Sequence, residues 1–224
     1  MIDKFVPSAA AALEGVRDGA TVLIAGFGEV GVASLLLEAL IAHGARDLTL
    51  VCNSGGRDGT PLVRLMELGR VRKLICSFVR PASVAGRLQK EGKLETEIVP
   101  QGTLAERVRA GGAGIEGFYT PTGADTVVAE GRERRQIGGK MCLLELPIRG
   151  DLALVDAWEG DRWGNLTFRG AQRNFNPLMA MAADLAVAQC VHRRELGEIA
   201  PEHVHLPGMF VDRVVHLPEA ERRA

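Results

Sequence analysis

The sequence reads Thr21-Val22-Leu23-Ile24-Ala25-Gly26-Phe27-Gly28-Glu29-Val30-Gly31 near its start. Its first five residues are mostly apolar and β-branched, which is typical of a strand buried on both faces. A glycine turn follows, and residues 35–43 then have the apolar pattern of a helix that stops at Gly44. The stretch predicts a strand, a turn and a helix in succession, which is the repeating unit of a parallel sheet.

The same alternation continues over the following residues. We predict strands at residues 48–52, 73–78 and 94–99, and helices at residues 61–67 and 82–91 between them. Strands that alternate with helices predict an α/β fold, here an open, mostly parallel, twisted sheet with helices on both faces.

The second half of the chain is less regular. Residues 136–146 resemble a hairpin that turns at Gly138-Gly139, and they predict a small β-rich appendage. Residues 152–158 predict a further strand, and the Met- and Ala-rich residues 178–188 predict a helix. Because no linker or repeat interrupts the chain, we expect a single domain over residues 1–224.

The overall charge excludes several classes of function. The chain of 224 residues has a formal net charge of -1 and a pI near 6.5. Such a chain has no strong electrostatic field with which to attract nucleic acid or an anionic membrane. Aromatic residues make up 4% of the sequence, which also argues against base stacking. We therefore expect neither nucleic acid nor a membrane among its partners.

Cysteine usage and apolar runs bear on the compartment. Cys52, Cys76, Cys142 and Cys190 each lie in an apolar run, and no two of them have C-x-x-C spacing. This pattern predicts buried, reduced thiols. No apolar run reaches the roughly 20 residues of a membrane helix, and residues 1–4 lack a secretory pattern. We expect a cytoplasmic protein.

Gly26, Gly28 and Gly31 also fit the G-x-G-x-x-G pattern, which in a dinucleotide site places pyrophosphate at a helix N-terminus. Such a site needs an acidic residue after the second strand, where it binds the ribose. Here Asn53 follows that strand, and Glu29 inside the loop would repel a phosphate. The pattern disfavours a dinucleotide and leaves a purely structural turn open.

Several longer stretches resemble a known family. Residues 18–31 are similar to the A-subunit motif of family I CoA transferases, with departures at Ala25 and Ala33, where that motif has glycine and proline. The most specific stretch is Pro100-Gln101-Gly102-Thr103-Leu104-Ala105-Glu106-Arg107. The resemblance covers essentially the whole chain, with further matches at residues 108–114, 118–123, 160–169 and 173–175.

The resemblance implies an enzyme that moves CoA from succinyl-CoA to a short 3-oxoacid, with 3-oxoadipate favoured and acetoacetate next. In this family a glutamate carboxylate attacks the thioester, and a glutamyl-CoA thioester forms. That glutamate lies in a Ser-Glu-Asn-Gly motif of a B subunit, and this chain has no such motif. The resemblance therefore implies a partner B subunit, an α2β2 assembly, and coenzyme A as a substrate, with no permanently bound cofactor.

The resemblance also assigns site residues. Asn53 aligns with an oxyanion-hole asparagine, and the alternative is an Asx-turn residue. Gln101 aligns with a glutamine that lines the acid-binding pocket, and we expect it and Gly102 to bind substrate; the alternative for Gln101 is a turn residue. Glycines allow a close backbone approach to CoA, and the expected CoA contacts are Ile24, Ala25, Gly26, Phe27, Gly28, Glu29, Val30 and Gly31.

Other polar residues have plainer interpretations. Arg132, Arg134 and Arg135 predict a solvated turn. His203 and His205 would share one face of a strand, but no third zinc ligand is evident. The rival to a transferase is a non-catalytic module that binds a nucleotide or a sugar phosphate on a related α/β scaffold, because fold alone does not fix function.

Overall fold

A computed structural model describes residues 2–217, and no helix in this range is long and apolar enough to cross a membrane. Its strands are β1 (Thr21–Ile24), β2 (Leu48–Cys52), β3 (Val71–Cys76), β4 (Glu95–Ile98), β5 (Phe118–Thr120), β6 (Arg134–Ile137), β7 (Lys140–Glu145), β8 (Gly150–Asp161), β9 (Leu166–Thr167), β10 (Ala183–Arg194) and β11 (Arg213–His216). Its α-helices are α1 (Ala9–Ala12), α2 (Ser34–His43), α3 (Pro61–Glu67), α4 (Val84–Lys90), α5 (Gln101–Ala113) and α6 (Asn176–Met181).

The main sheet is parallel apart from one short strand. Its order is β11-β10-β8-β1-β2-β3-β4, and β9 pairs antiparallel with the far end of β8. β1 is central, since it pairs with β2, the next strand of the chain, and with β8, which comes much later. This arrangement confirms the predicted open, mostly parallel α/β sheet.

Alternate residues of β1 enter two separate cores. Val22 and Ile24 pack in one core with apolar residues of α2 and α3, whereas Leu23 packs in the other with apolar residues of α5 and α6. None of the three is more than 1% exposed. Helices therefore cover both faces of the sheet, which explains why its strands are continuous apolar runs in the sequence.

The segment predicted as a helix at residues 178–188 contains two elements. α6 ends at Met181, and β10 begins at Ala183 and pairs with β8 on one side and β11 on the other. Buried pairing between two strands outweighs the helix propensity of alanine here. The helix prediction is therefore wrong beyond Met181.

A small antiparallel sheet, in the order β5-β7-β6, is the predicted β-rich appendage. Ile137 of β6 pairs with Lys140 of β7 across Gly138-Gly139, which confirms the predicted hairpin. This sheet follows α5 in the chain and precedes β8, so it is an insertion into the helix-and-strand alternation of the main sheet.

The arginines before and within β6 do not form a solvated turn. Arg134 and Arg135 lie in the strand itself. Arg132 forms an ion pair with Glu145, whose side chain is 2% exposed. The predicted turn is therefore wrong for Arg134 and Arg135, although both are exposed as expected. Arg132 is not simply solvated, because a buried carboxylate needs a cationic partner and Arg132 supplies it.

Gly111 marks the closest approach of α5 to the segment before β8. A Cβ atom at this position would lie 2.1 Å from the backbone oxygen of Ile148. We expect Gly111→Ala to lower the free energy of unfolding by about 1–3 kcal/mol, the usual cost of overpacking, in urea titrations followed by circular dichroism. The control is Gly102→Ala in the same helix, where space is open; it should change that free energy by less than about 1 kcal/mol. Equal losses for both variants would contradict this account of the packing.

Candidate functional site

The candidate site lies at the carboxyl ends of β1 and β2, where the order of the sheet reverses. The chain passes from β1 to β2 on one side, whereas β8 occupies the other side of β1. Open α/β sheets bind ligands in the crevice at such a switch point. β8 pairs with β1 as far as Leu154 and then continues to Asp161, so it forms a wall beside the crevice.

The glycine loop, residues 26–31, closes into a tight turn at the end of β1. Phe27 N donates to Val30 O over 3.0 Å, and Val30 N donates to Phe27 O over 3.2 Å. Gly26, Gly28 and Gly31 have φ angles of 127°, 60° and 74°, which residues with side chains rarely adopt. Phe27 and Val30 are 54% and 51% exposed, so the loop presents two apolar side chains to solvent.

Two asparagines, which the sequence analysis did not assign to the site, contact the glycine loop. Asn174 Oδ1 accepts from Gly26 N over 3.0 Å, and its Nδ2 donates to Val30 O over 3.0 Å. Asn176 Nδ2 donates to Gly31 O over 3.0 Å. A Cβ atom at Gly31 would lie 2.6 Å from the backbone oxygen of Gln172 and 2.7 Å from Asn174 Nδ2, so only glycine fits here.

Asn53 follows β2 directly and is half-buried. Its Oδ1 accepts from Gln101 Nε2 over 2.7 Å and lies 3.2 Å from Ser77 Oγ. Because these contacts involve the amide oxygen, both N–H groups of Asn53 Nδ2 remain available, and neither has a partner among residues 2–217. The side chain is thus a neutral group held through its oxygen, with two unused donors.

Gln101 and Gly102 are the first two residues of α5, and both are exposed. Gln101 is therefore the start of a helix and not a turn residue. Its side chain does not cap the helix but reaches Asn53, which follows a different strand. The structure thus brings Gln101 and Asn53 together, as a shared site requires.

Asn53 and part of the glycine loop line one small pocket. Of the predicted CoA contacts, Ile24, Ala25, Gly26, Gly28 and Glu29 line this pocket. Val30 and Gly31 line an adjoining cleft of about 660 Å³, and Phe27 lines neither space. Pocket and cleft lie side by side, and their shared wall residues are Glu29, Val32, Ser34, Thr60 and Pro61.

A buried polar network borders the cleft, and the sequence analysis missed it. Asp156 is 3% exposed and accepts from Gln172 Nε2 over 2.8 Å and from Gln189 Nε2 over 2.9 Å. Asn176 Oδ1 accepts from Asp156 N over 2.8 Å. The available signal was a polar residue inside an apolar strand run, at Asp156 and at Gln189, because buried polar groups need partners.

Charged and aromatic side chains also line the cleft. The guanidinium carbon of Arg169 lies 4.8 Å from the ring centroid of Trp158, a cation–π distance. Arg57 is a second cation of the lining, whereas Glu38 is paired with Arg64 over 2.6 Å. The cleft therefore carries charges of both signs.

The histidine pair does not lie on a strand. His203 belongs to a short 3₁₀ turn, Pro201–His203, so the strand arrangement considered for the pair does not occur. His205 Nδ1 accepts from Phe168 N over 2.9 Å, and partial burial together with the charge of Arg173 holds the pKa of His205 below its ordinary value. No three potential ligands converge on a metal position anywhere in residues 2–217.

Cys52, the residue before Asn53, lines the small pocket with an unreactive thiol. The four cysteines are free and buried, as predicted. Burial raises the pKa of Cys52, and the neighbouring Cys76 raises it further. Burial raises the pKa of Cys76 to about 11. Since the thiolate is the reactive form, neither group is a nucleophile near neutral pH.

The fold and the site define an open α/β protein whose ligand crevice combines a glycine loop with a pair of amide side chains. Residues 6–217 match the Coenzyme A transferase family. The chain belongs to this family, which confirms the resemblance drawn from the sequence.

Two relatives illustrate the match. The chain is 52% identical over 217 residues to the A subunit of 3-oxoadipate CoA-transferase from Pseudomonas putida, covering 96% of this chain and 94% of the relative. It is 44% identical over 220 residues to the A subunit of a probable succinyl-CoA:3-ketoacid coenzyme A transferase from Bacillus subtilis, covering 98% and 92%. These names do not favour the rival hypothesis of a nucleotide- or sugar-phosphate-binding module.

Solved structures show the same fold. An acyl-CoA transferase from Escherichia coli O157:H7 superposes with a TM-score of 0.85 at 23% identity, over 97% of this chain and 48% of that one. This chain thus spans about half the length of that protein. Glutaconate coenzyme A-transferase from Acidaminococcus fermentans superposes with a TM-score of 0.85 at 18% identity, over 99% and 78%.

Burial of all four thiols, with a raised pKa at Cys52 and Cys76, predicts slow cysteine modification. At pH 8 a thiol with a pKa of about 11, such as Cys76, is ionised to only about one part in a thousand. We expect 5,5′-dithiobis(2-nitrobenzoate) to leave Cys52, Cys76, Cys142 and Cys190 unmodified in the folded chain. Guanidinium chloride should expose all four, which serves as the control. Rapid labelling of a thiol in the folded chain would contradict the prediction.

Proposed function

We propose that the chain is the A subunit of a heteromeric 3-oxoacid CoA-transferase that moves CoA from succinyl-CoA to a 3-oxoacid. We favour 3-oxoadipate as acceptor, in line with the name of the Pseudomonas putida relative, and acetoacetate next. The observation that carries the proposal is the Asn53 amide, whose oxygen contacts Gln101 and Ser77 while its N–H groups are available at the carboxyl edge of the sheet.

We assign the nucleophile to a B subunit with a Ser-Glu-Asn-Gly motif, because this chain has no such motif. The glutamate oxygen attacks the thioester carbon of succinyl-CoA, the C–S bond breaks, and a mixed anhydride and CoA thiolate form. The thiolate then attacks the glutamyl carbonyl, which releases succinate and leaves a glutamyl-CoA thioester. The carboxylate of the 3-oxoacid then attacks the glutamyl-CoA thioester and forms a second mixed anhydride with release of CoA thiolate. The thiolate attacks the 3-oxoacyl carbonyl, which releases the 3-oxoacyl-CoA and restores the glutamate.

Asn53 is the proposed oxyanion donor in these steps. Each step passes through a tetrahedral carbon whose oxygen bears a negative charge, and donors that are already oriented stabilise it most. The contact of Gln101 Nε2 with Asn53 Oδ1 supports such orientation. An amide is also neutral, so it does not pair with the attacking carboxylate as a cation would.

Gln101 and Gly102 are the proposed contacts for the acid. They begin α5, where free backbone N–H groups and the helix dipole favour a negative charge such as a substrate carboxylate. Residues 24–31 are the proposed contacts for CoA, and the cleft beside the small pocket is the proposed path for its pantetheine arm. In this proposal CoA enters and leaves as a substrate, and no resident cofactor takes part.

Exposed apolar residues support a partner at this edge. Phe27, Val30 and Phe78 are 54%, 51% and 58% exposed, and all three follow carboxyl ends of the central strands. Large apolar side chains that cluster on a surface commonly mark a protein interface. We therefore propose that the B subunit covers this edge, within an α2β2 assembly in the cytoplasm.

The direct test combines the chain with a B subunit that carries the motif. Succinyl-CoA and either 3-oxoadipate or acetoacetate are added, and the 3-oxoacyl-CoA product is followed by its magnesium-enolate absorbance. Succinyl-CoA alone should leave a CoA adduct on the B subunit but none on this chain, by intact mass. A stable complex that is inactive with both acids, or an adduct on this chain, would refute the proposal.

Removing the proposed oxyanion donor should slow turnover. We expect Asn53→Ala to lower kcat by roughly 10²-fold, the usual effect of losing one such donor. Size-exclusion chromatography should show that the complex still assembles. Ser77→Ala is the matched control, because it deletes the contacts of Ser77 Oγ with Asn53 O and Oδ1 while keeping the N–H groups of Asn53, and its effect should be much smaller. Unchanged turnover in Asn53→Ala would remove Asn53 from the mechanism.

A further inference from the structure

We infer that Asn174 is a positioning residue that fixes the glycine loop in its working shape, with Asn176 beside it. The inference rests on the proposed function, in which the loop backbone contacts CoA. Neither asparagine lines the small pocket or the cleft, so neither is placed to touch a substrate there. The two asparagines therefore affect the reaction only by holding the glycine loop in position.

Asn174 joins both ends of the tight turn. Its Oδ1 accepts from Gly26 N before the turn, and its Nδ2 donates to Val30 O after it, each over 3.0 Å. The same Nδ2 donates to Ala171 O over 2.8 Å, which ties the contact to the segment before α6. One amide thus uses its acceptor and its donor on the two sides of the loop, a pairing that requires both kinds of group.

Asn176 anchors the last residue of the loop. It is fully buried, and its Nδ2 donates to Gly31 O over 3.0 Å and to Gln172 O over 2.8 Å. Its Oδ1 accepts from Asp156 N over 2.8 Å. Buried amides with satisfied hydrogen bonds hold a single geometry, because breaking a bond there leaves an unpaired polar group.

The network continues into the sheet and the next helix. Gln172 and Gln189 each donate to one oxygen of Asp156, which belongs to β8. Gln189 Oε1, on β10, accepts from Leu36 N in the first turn of α2 over 3.2 Å. The glycine loop is thereby linked to two long strands and to the helix that follows it, so its position is set by the rigid part of the fold.

Asn174→Ala is the primary test, in the complex of this chain with its B subunit. Small displacements of groups that position substrate cost up to about 10²-fold in rate, so we expect kcat to fall by about 10–100-fold. The KM values should change far less than kcat. Amide hydrogen exchange at Phe27 and Val30 should become faster, while exchange in β1 and α5 stays as in the wild type.

Asn165→Ala is the matched control. Asn165 is also half-buried and also bridges two segments, since its Oδ1 accepts from Gly208 N over 2.9 Å and its Nδ2 donates to Asp161 Oδ2 over 2.8 Å. Asn165→Ala should therefore cost stability in a similar way. It should leave both kcat and the exchange rates of the glycine loop unchanged, because Asn165 does not contact that loop.

Two results would overturn the inference. One is an Asn174→Ala complex with wild-type kcat, and the other is a loss of kcat with no faster exchange at Phe27 and Val30. If Asn174→Ala fails to assemble, Asn174→Asp is used; it keeps the shape and the acceptor for Gly26 N but loses the donor to Val30 O, and the same changes are expected. Absence of transferase activity in the wild-type complex would refute the proposed function, and hydrogen exchange would then decide the role of Asn174.

Discussion

The pairing of β1 with β2 on one edge and with β8 on the other is the constraint on which the site depends. A strand that is buried on both faces ends among backbone groups that still need hydrogen-bond partners. After β2, Asn53 O accepts from Ser77 N over 3.0 Å and from Ser77 Oγ over 2.6 Å. After β1, the glycine loop forms hydrogen bonds within its own backbone and with the side-chain amides of Asn174 and Asn176. The reversal of strand order thus gathers amides at one edge of the sheet.

Ion pairs fix the helix that begins at this edge. Arg107 of α5 contacts Glu97 of β4 over 2.8 Å and Glu145 of the appendage over 3.7 Å. Burial acts to raise the pKa of Glu97, but Arg107 and Lys73 together bring that pKa below its ordinary value. Burial acts to lower the pKa of Lys73, but Glu97 and Glu95 bring it above its ordinary value. The charged forms are therefore maintained, and they join α5, the sheet edge and the appendage.

The first four strands of the main sheet could be predicted because local pattern and final burial agree, as at residues 21–25 and 48–52. Residues 182–188 could not, because their alanine content favours a helix while their partner strand β8 lies elsewhere in the sequence. Asn53 and Gln101 were reached through a family resemblance and not through chemistry visible in one segment. The bond between Asn174 and Gly26 joins residues 148 positions apart, which no local pattern encodes.

Beyond the end of β1, β8 and β10 continue together and form a paired ribbon rather than a loop. Cross-strand contacts stiffen it: the rings of Trp158 and His192 meet edge to face with centroids 4.5 Å apart, and Arg194 contacts Glu159 over 2.6 Å. A partner that docks against such a ribbon spends little binding free energy on ordering it. Such a wall keeps its shape when a partner docks, as preorganised interfaces commonly do.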